Sequence, residues 1–125
     1  MNCPNCDNVL VKIERKNIEF EYCPDCGGFF LDADEWFLIK QIFELSGEIK
    51  NLMMINPISN FKDKPKKCPH CNNRMEKIDV NGIILDRCPH YHGVWFDKGE
   101  LSDFINQNSD KKNEVISFLG ETFNK

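Results

Sequence analysis

The sequence predicts a small α+β fold made of two copies of one cysteine-rich unit, and three observations carry that prediction. The first is spacing. CPNC (Cys3 to Cys6), sixteen residues and CPDC (Cys23 to Cys26) are answered by CPHC (Cys68 to Cys71), sixteen residues and CPHYH from Cys88. Each matched cysteine is displaced by 65 positions, and the agreement continues through Gly28 and Gly93, Asp32 and Asp97, Glu35 and Glu100. Self-similarity at a fixed offset marks a repeated structural unit. The second observation is what fills the sixteen residues. VLVKIERKNIEFEY and MEKIDVNGIILDR are rich in β-branched and aromatic residues, with Lys16-Asn17 and Asn81-Gly82 at equivalent places. Asn-Gly between such runs is a strong hairpin-turn signal, because both turn positions need positive φ. The third is a helix start after each second knuckle: Asp32-Ala-Asp-Glu35 and Asp97-Lys-Gly-Glu100 each place an N-cap acid three residues before a carboxylate, as in a capping box.

The knuckles imply a metal. In a reducing compartment paired Cys-x-x-Cys motifs read as metal binding rather than disulfides. Two knuckles at two hairpin tips supply the four thiolates of a tetrahedral zinc. Each unit is therefore expected to be a zinc ribbon, a short β-hairpin with cysteine knuckles followed by an α-helix, with two Zn2+ per chain. The first site draws on Cys3, Cys6, Cys23 and Cys26. The second draws on Cys68, Cys71 and Cys88, but Tyr91 stands where a fourth cysteine belongs. A phenol with an ordinary pKa of about 10 is a poor ligand near neutral pH. His92 gives Cys-x3-His, reaching back from just beyond the knuckle tip, and is preferred. His90 makes a tighter loop whose ring points away, and an open or water-completed site is the third option. His70, inside the other knuckle, has no such role to fill. The acids after the knuckles are read as helix caps rather than as general acids or bases.

The chain divides into ribbon and helix at 1–50, a linker at 51–67, ribbon and helix at 68–107, and a tail helix at 108–125. The first helix, about Ala33 to Ser46, carries Trp36, Phe37, Leu38, Ile39, Ile42, Phe43 and Leu45. That is more than the single stripe a surface helix needs. A second side must be buried, either by Asn51 to Ile55, by the tail with Val115, Ile116, Leu119 and Phe123, or by a partner. The second helix, about Lys98 to Asn106, has one stripe of Leu101, Phe104 and Ile105. Phe29, Phe30, Trp95 and Phe96, between knuckle and cap, are expected in the core rather than stacking on bases.

Composition narrows the function. No apolar run approaches the roughly 18 residues of a membrane span, and MNCPNCDNVL lacks the charged and apolar regions of a signal peptide. A cytoplasmic chain with no membrane association is expected. The formal net charge is −4 and the sequence pI about 5.4. Filling both sites with ionised ligand thiols takes the charge to about −7, which disfavours a generic polyanion binder. The densest basic run is Lys62, Lys64, Lys66 and Lys67. It reads first as a solvated linker, and otherwise as a phosphate-contacting strip extended by Arg74, Lys77 and Arg87.

CPNCDNVL … YCPDCGGFFLDADEW and CPHCNNRM … RCPHYHGVWFDKGEL resemble the transcription factor IIB-type zinc ribbon family of small prokaryotic proteins. The resemblance covers residues 3–40 and 68–105 and implies a zinc ribbon with ligands at Cys3, Cys6, Cys23, Cys26, Cys68, Cys71 and Cys88. It does not imply an initiation factor, since the cyclin-like repeats of such factors have no room in this chain. The reading is a non-catalytic binding or adaptor module with tandem ribbons, favouring a protein partner over nucleic acid bound through Lys62, Lys64, Lys66 and Lys67. The alternative is a rubredoxin-like iron electron carrier, suggested by CPDCGG. A hydrolase at an open second zinc ranks below that, since no nucleophile–base constellation accompanies it.

Overall fold

The computed structural model describes residues 1–15, 17–42, 52–59 and 66–108. Phe43, Leu45, Lys62, Lys64, the expected tail helix and the side chains of Ile42 and Ile105 lie outside the described residues.

In the first unit β1 (Val11–Arg15) and β2 (Ile18–Tyr22) form the expected hairpin, with Val11 opposite Tyr22 and Arg15 opposite Ile18. In the second, β4 (Glu76–Val80) and β5 (Ile83–Arg87) pair from Glu76–Arg87 to Val80–Ile83. The Asn81-Gly82 turn has both residues at positive φ, 53° and 92°, as a two-residue hairpin loop requires. Each unit also has a third strand after its second knuckle: β3 (Phe29–Asp32) and β6 (Gly93–Phe96). The helices follow as α1 (Ala33–Ile42) and α2 (Glu100–Asn108). The second helix starts later than Lys98 because Gly99 sits at φ 86°, outside the right-handed helical region.

Among the described residues the strands make one antiparallel sheet in the order β1-β2-β3-β6-β5-β4. The two ribbons are thus one body, joined where β3 pairs with β6. In that junction Phe30 lies opposite Trp95, its own counterpart in the repeat, while Phe29 faces Phe96 and Leu31 faces Val94. A pseudo-twofold axis therefore passes through the Phe30–Trp95 pair. The repeat has the geometry of a two-fold dimer interface, in which one patch meets its own copy.

The strand alternation sorts the core into two faces. On one, Ile18, Phe20, Phe29, Leu31, Ile78, Leu85, Val94 and Phe96 pack with Trp36 and Ile39 of α1, Leu101 and Phe104 of α2, and Leu52 and Met53 of a short 3₁₀ helix. Leu52 and Met53, from the stretch expected to cover α1, join this cluster, but Phe37 and Leu38 remain exposed, so the second side of α1 is not buried by the described residues, and Asn51 lies outside them. The Trp36 indole N–H is buried without a hydrogen-bond partner among the described residues. On the other face, Phe30 and Trp95 lie among Cys3, Cys23, Cys68, Cys88, Leu10 and Met75. The four aromatics between knuckle and cap are all buried, as core residues.

Two glycines let the junction close. A Cβ at Gly28 would strike the Trp95 indole, and one at Gly93 would strike Leu31 O and the Phe30 ring. Each ribbon leaves out a side chain where the other inserts a ring.

Candidate metal centres

Three knuckles share one backbone pattern. The N–H of Cys3, Cys23 and Cys68 donates to the carbonyl five residues on, at Asn8, Gly28 and Asn73, over 2.7, 3.0 and 2.8 Å. The residue four on, Asp7, Gly27 or Asn72, sits at positive φ and donates its N–H back to the cysteine carbonyl. These loops aim backbone N–H groups at sulfur. Asn5 N–H lies 3.4 Å from Cys3 Sγ and Cys26 N–H 3.3 Å from Cys23 Sγ.

The knuckle that begins at Cys88 closes over the same span, Cys88 N–H to Gly93 O at 3.0 Å, but turns one residue early. Tyr91, three residues on, takes the positive φ of 64° and returns its N–H to Cys88 O. Tyr91 itself is 59 % exposed. The residue after the turn then points inward, and that residue is His92, with Nδ1 3.3 Å from Cys88 Sγ. His90 is exposed and offers its backbone N–H to Cys88 Sγ at 3.4 Å. His70 also has a place: its ring centroid lies 4.2 Å from that of His92. Sequence reasoning gave it none, since ring contact between the two knuckles depends on how the hairpin tips meet.

The donor atoms of Cys3, Cys6, Cys23 and Cys26 lie within 4.8 Å of one another, and so do those of Cys68, Cys71, Cys88 and His92. Sulfurs around a zinc at about 2.3 Å would stand roughly 3.8 Å apart. Cys6 and Cys23 are 3.5 Å apart, and Cys71 and Cys88 3.6 Å. A soft donor set of thiolates and one imidazole suits zinc. The two clusters fit two zinc ions.

Within each cluster the thiols differ in acidity. The backbone N–H of Asn8, with the Cys26 thiol, draws Cys6 down to about 7. Burial opposes ionisation of Cys71, yet the backbone and side-chain N–H groups of Asn73 bring it to about 6. Burial pushes Cys68 up to about 12, and Cys26 is raised by its hydrogen bond to Cys6 and by burial. Without a cation one thiolate in a cluster suppresses the others. A bound zinc stabilises them together.

The caps differ between the copies. At α1 the exchange is reciprocal: Glu35 N–H donates to Asp32 Oδ1 at 2.7 Å and Asp32 N–H to Glu35 Oε1 at 2.9 Å. Burial raises Glu35 to about 7. At α2 only one half forms, Asp97 N–H to Glu100 Oε1 at 2.7 Å. The Asp97 carboxylate, expected to cap, instead accepts from Lys66 Nζ at 2.6 Å, Trp95 Nε1 at 2.9 Å and Asn5 Nδ2 at 2.9 Å. Burial opposes ionisation there, but Lys66, Asn5 and Trp95 hold the carboxyl below its usual range.

This network also changes the expected basic strip. Lys66 is bound to Asp97 and approaches Asp86 at 3.4 Å, and Lys77 meets Asp86 at 2.5 Å. Arg87 is 3 % exposed. It pairs with Glu76 at 2.6 Å and donates to the carbonyls of Leu52 and Ile55. Lys77 and Arg87 therefore do not extend a phosphate-contacting strip, because the buried Asp86, the half-buried Glu76 and two backbone carbonyls already use them. Lys67 and Arg74 are exposed, while Lys62 and Lys64 lie outside the described residues.

Two closed sets of soft donors at paired hairpin tips define a tandem zinc ribbon. The family described as transcription factor zinc-finger, of the IIB ribbon type, matches residues 2–40 and 67–107. The chain belongs to that family. No curated protein and no solved structure matches it. Among the described residues no helix is long and apolar enough to cross a membrane.

Proposed function

We propose that the chain is a zinc-stabilised, non-catalytic binding or adaptor module of the cytoplasm whose partner is a protein. In this reading Cys3, Cys6, Cys23 and Cys26 hold one zinc and Cys68, Cys71, Cys88 and His92 the other. The observation that carries it is the completeness of both donor sets. Four protein ligands leave no coordination position for a substrate. The zinc would serve to fix the knuckles and the surface they present. Buried aromatics do not offer stacking platforms, and the cations of Lys66, Lys77 and Arg87 are neutralised at home. Nucleic-acid affinity comes mainly from cations that neutralise phosphates, so a net acidic chain favours a protein partner.

The test is recovery of partners on the tagged, zinc-loaded full chain, with and without nuclease. Capture of a defined protein that survives nuclease and is lost on chelation is expected. Nuclease-sensitive capture that weakens steeply with salt and disappears when Lys62, Lys64, Lys66 and Lys67 become glutamine would move the function to nucleic acid. The purified protein should be colourless with two zinc ions per chain. A red, iron-containing sample would support the electron-carrier alternative.

A further inference from the structure

We propose that the two zinc sites load as one cooperative unit, and that Asn5 and Asp97 are the positioning residues that couple them. The inference rests on the ligand sets proposed above. Asn5 lies between Cys3 and Cys6, so its position follows from the closure of that knuckle. Its backbone N–H turns toward Cys3 Sγ at 3.4 Å, and its side-chain amide crosses the junction to Asp97 Oδ1 at 2.9 Å. The same oxygen accepts the Trp95 indole N–H at 2.9 Å. The other oxygen accepts Lys66 Nζ at 2.6 Å, two residues before Cys68. One carboxylate thus holds the tip of the first site, the lead-in to the second, and the ring packed among the cysteines of both.

Among the described residues the bridge has no counterpart in the other half of the repeat. The counterpart of Asp97 is Asp32, whose carboxylate oxygen takes the Glu35 N–H. The counterparts of Trp95 and Lys66 are Phe30 and Met1, which carry no side-chain N–H. The counterpart of Asn5 is His70, whose ring lies on His92. Zinc at the first site would fix Asn5, Asn5 helps to fix Asp97, Asp97 holds the Trp95 indole, and Trp95 lies in one cluster with Cys68 and Cys88. Linkage requires the influence to run equally in the other direction.

The test is a double-mutant cycle on the full, reduced chain, with zinc affinity read by chelator competition and site identity by cobalt absorption. Removing the first site by Cys6→Ser with Cys26→Ser should weaken zinc at the second about 5- to 10-fold, the lower end of measured couplings. Asn5→Ala, which leaves every ligand in place, should weaken the second site by the same factor. In the Asn5→Ala background, loss of the first site should then add nothing. Asp97→Asn should also weaken the coupling, since it removes the charge that binds Lys66. His92→Ala should weaken the first site by the same factor as the reverse experiment. Equal affinity of the second site with and without the first would overturn the proposal. So would a full drop in the Asn5→Ala background, because the coupling would then run through the shared sheet instead. A chain that binds no metal at either cluster would count against the ligand sets themselves.

Discussion

The two ribbons have the same strands, the same sixteen-residue spacing between knuckles and the same junction glycine, yet they diverge in a way that their common fold does not require. Ribbon one closes its second knuckle with Cys26 and Gly27, and glycine takes the left-handed turn without strain. Ribbon two has Tyr91 in that conformation one residue earlier and His92 behind it. The thiolate lost at the fourth corner and the histidine beside Cys88 are therefore one change. Moving the turn by one residue brings the next side chain inward. Around this change ribbon two gathers the buried charges Asp86 and Arg87, while the matching positions of ribbon one hold Glu21 and Tyr22. Duplication has kept the shared core and let the site and its surroundings diverge.

The comparison breaks most severely at the fourth donor of the second cluster, His92. His92→Ala should lower the metal content from two zinc ions to one, measured by elemental analysis, and remove the stability that zinc lends to ribbon two. Structural zinc in small finger peptides contributes on the order of 10 kcal/mol. His92→Cys should restore the second ion, since thiolate and imidazole both satisfy a tetrahedral zinc. His90→Ala should leave both ions in place. Loss of metal on His90→Ala and retention on His92→Ala would exchange the two assignments.

The next largest effect tests what the copies share. Gly28→Ala places a methyl against the Trp95 indole, and Gly93→Ala places one against Leu31 O and the Phe30 ring. Overpacking of this kind costs about 1–3 kcal/mol, to be read in denaturant unfolding. The pseudo-twofold arrangement predicts that both substitutions destabilise the whole sheet in a single transition. Independent melting of one ribbon would count against one cooperative body.

A smaller effect sharpens the difference at the turn. A left-handed backbone costs a non-glycine residue about 1–2 kcal/mol, and asparagine tolerates it better than tyrosine. Tyr91→Asn should therefore raise stability by a few tenths of a kcal/mol to about 1 kcal/mol, with both zinc ions retained. A loss of stability would mean that the exposed ring contributes more than its backbone costs.

The smallest effect is read by pH at the first cap. Glu35 is raised from 4.5 to about 7 by burial, so the folded chain holds this proton where the unfolded chain has released it. Stability from this group is complete below pH 4.5, falls as pH rises between 4.5 and 7, and is level above that. Glu35→Gln keeps an acceptor for the Asp32 N–H and should remove this slope. Comparing the two proteins from pH 6 to pH 8, where zinc still binds, should show the wild type losing stability relative to the variant up to about pH 7. A parallel pair of curves would place the Glu35 titration elsewhere.

The sequence by itself determined whatever is encoded over short spans of chain. Cys-x-x-Cys spacing brought the sulfurs together, and Asn81-Gly82 set the turn. Asp32 and Glu35 capped α1 because partner and target are three residues apart. His92 was legible as a ligand candidate for the same reason, as its reach to Cys88 depends on four residues of loop. Only the tertiary structure decided the meeting of β3 with β6. Phe29 to Leu31 and Gly93 to Phe96 are unbroken apolar runs, a sign of strands buried on both faces, but the hydrogen bonds that join two edges belong to main-chain groups, which every residue carries alike. That pairing then brought Asn5 to Asp97 across 92 residues of sequence, drawing a carboxylate away from the helix it was spaced to cap. Lys77 and Arg87 followed the same rule. A basic residue can be counted in a sequence, but whether it faces water or a buried acid depends on which strands lie beside it.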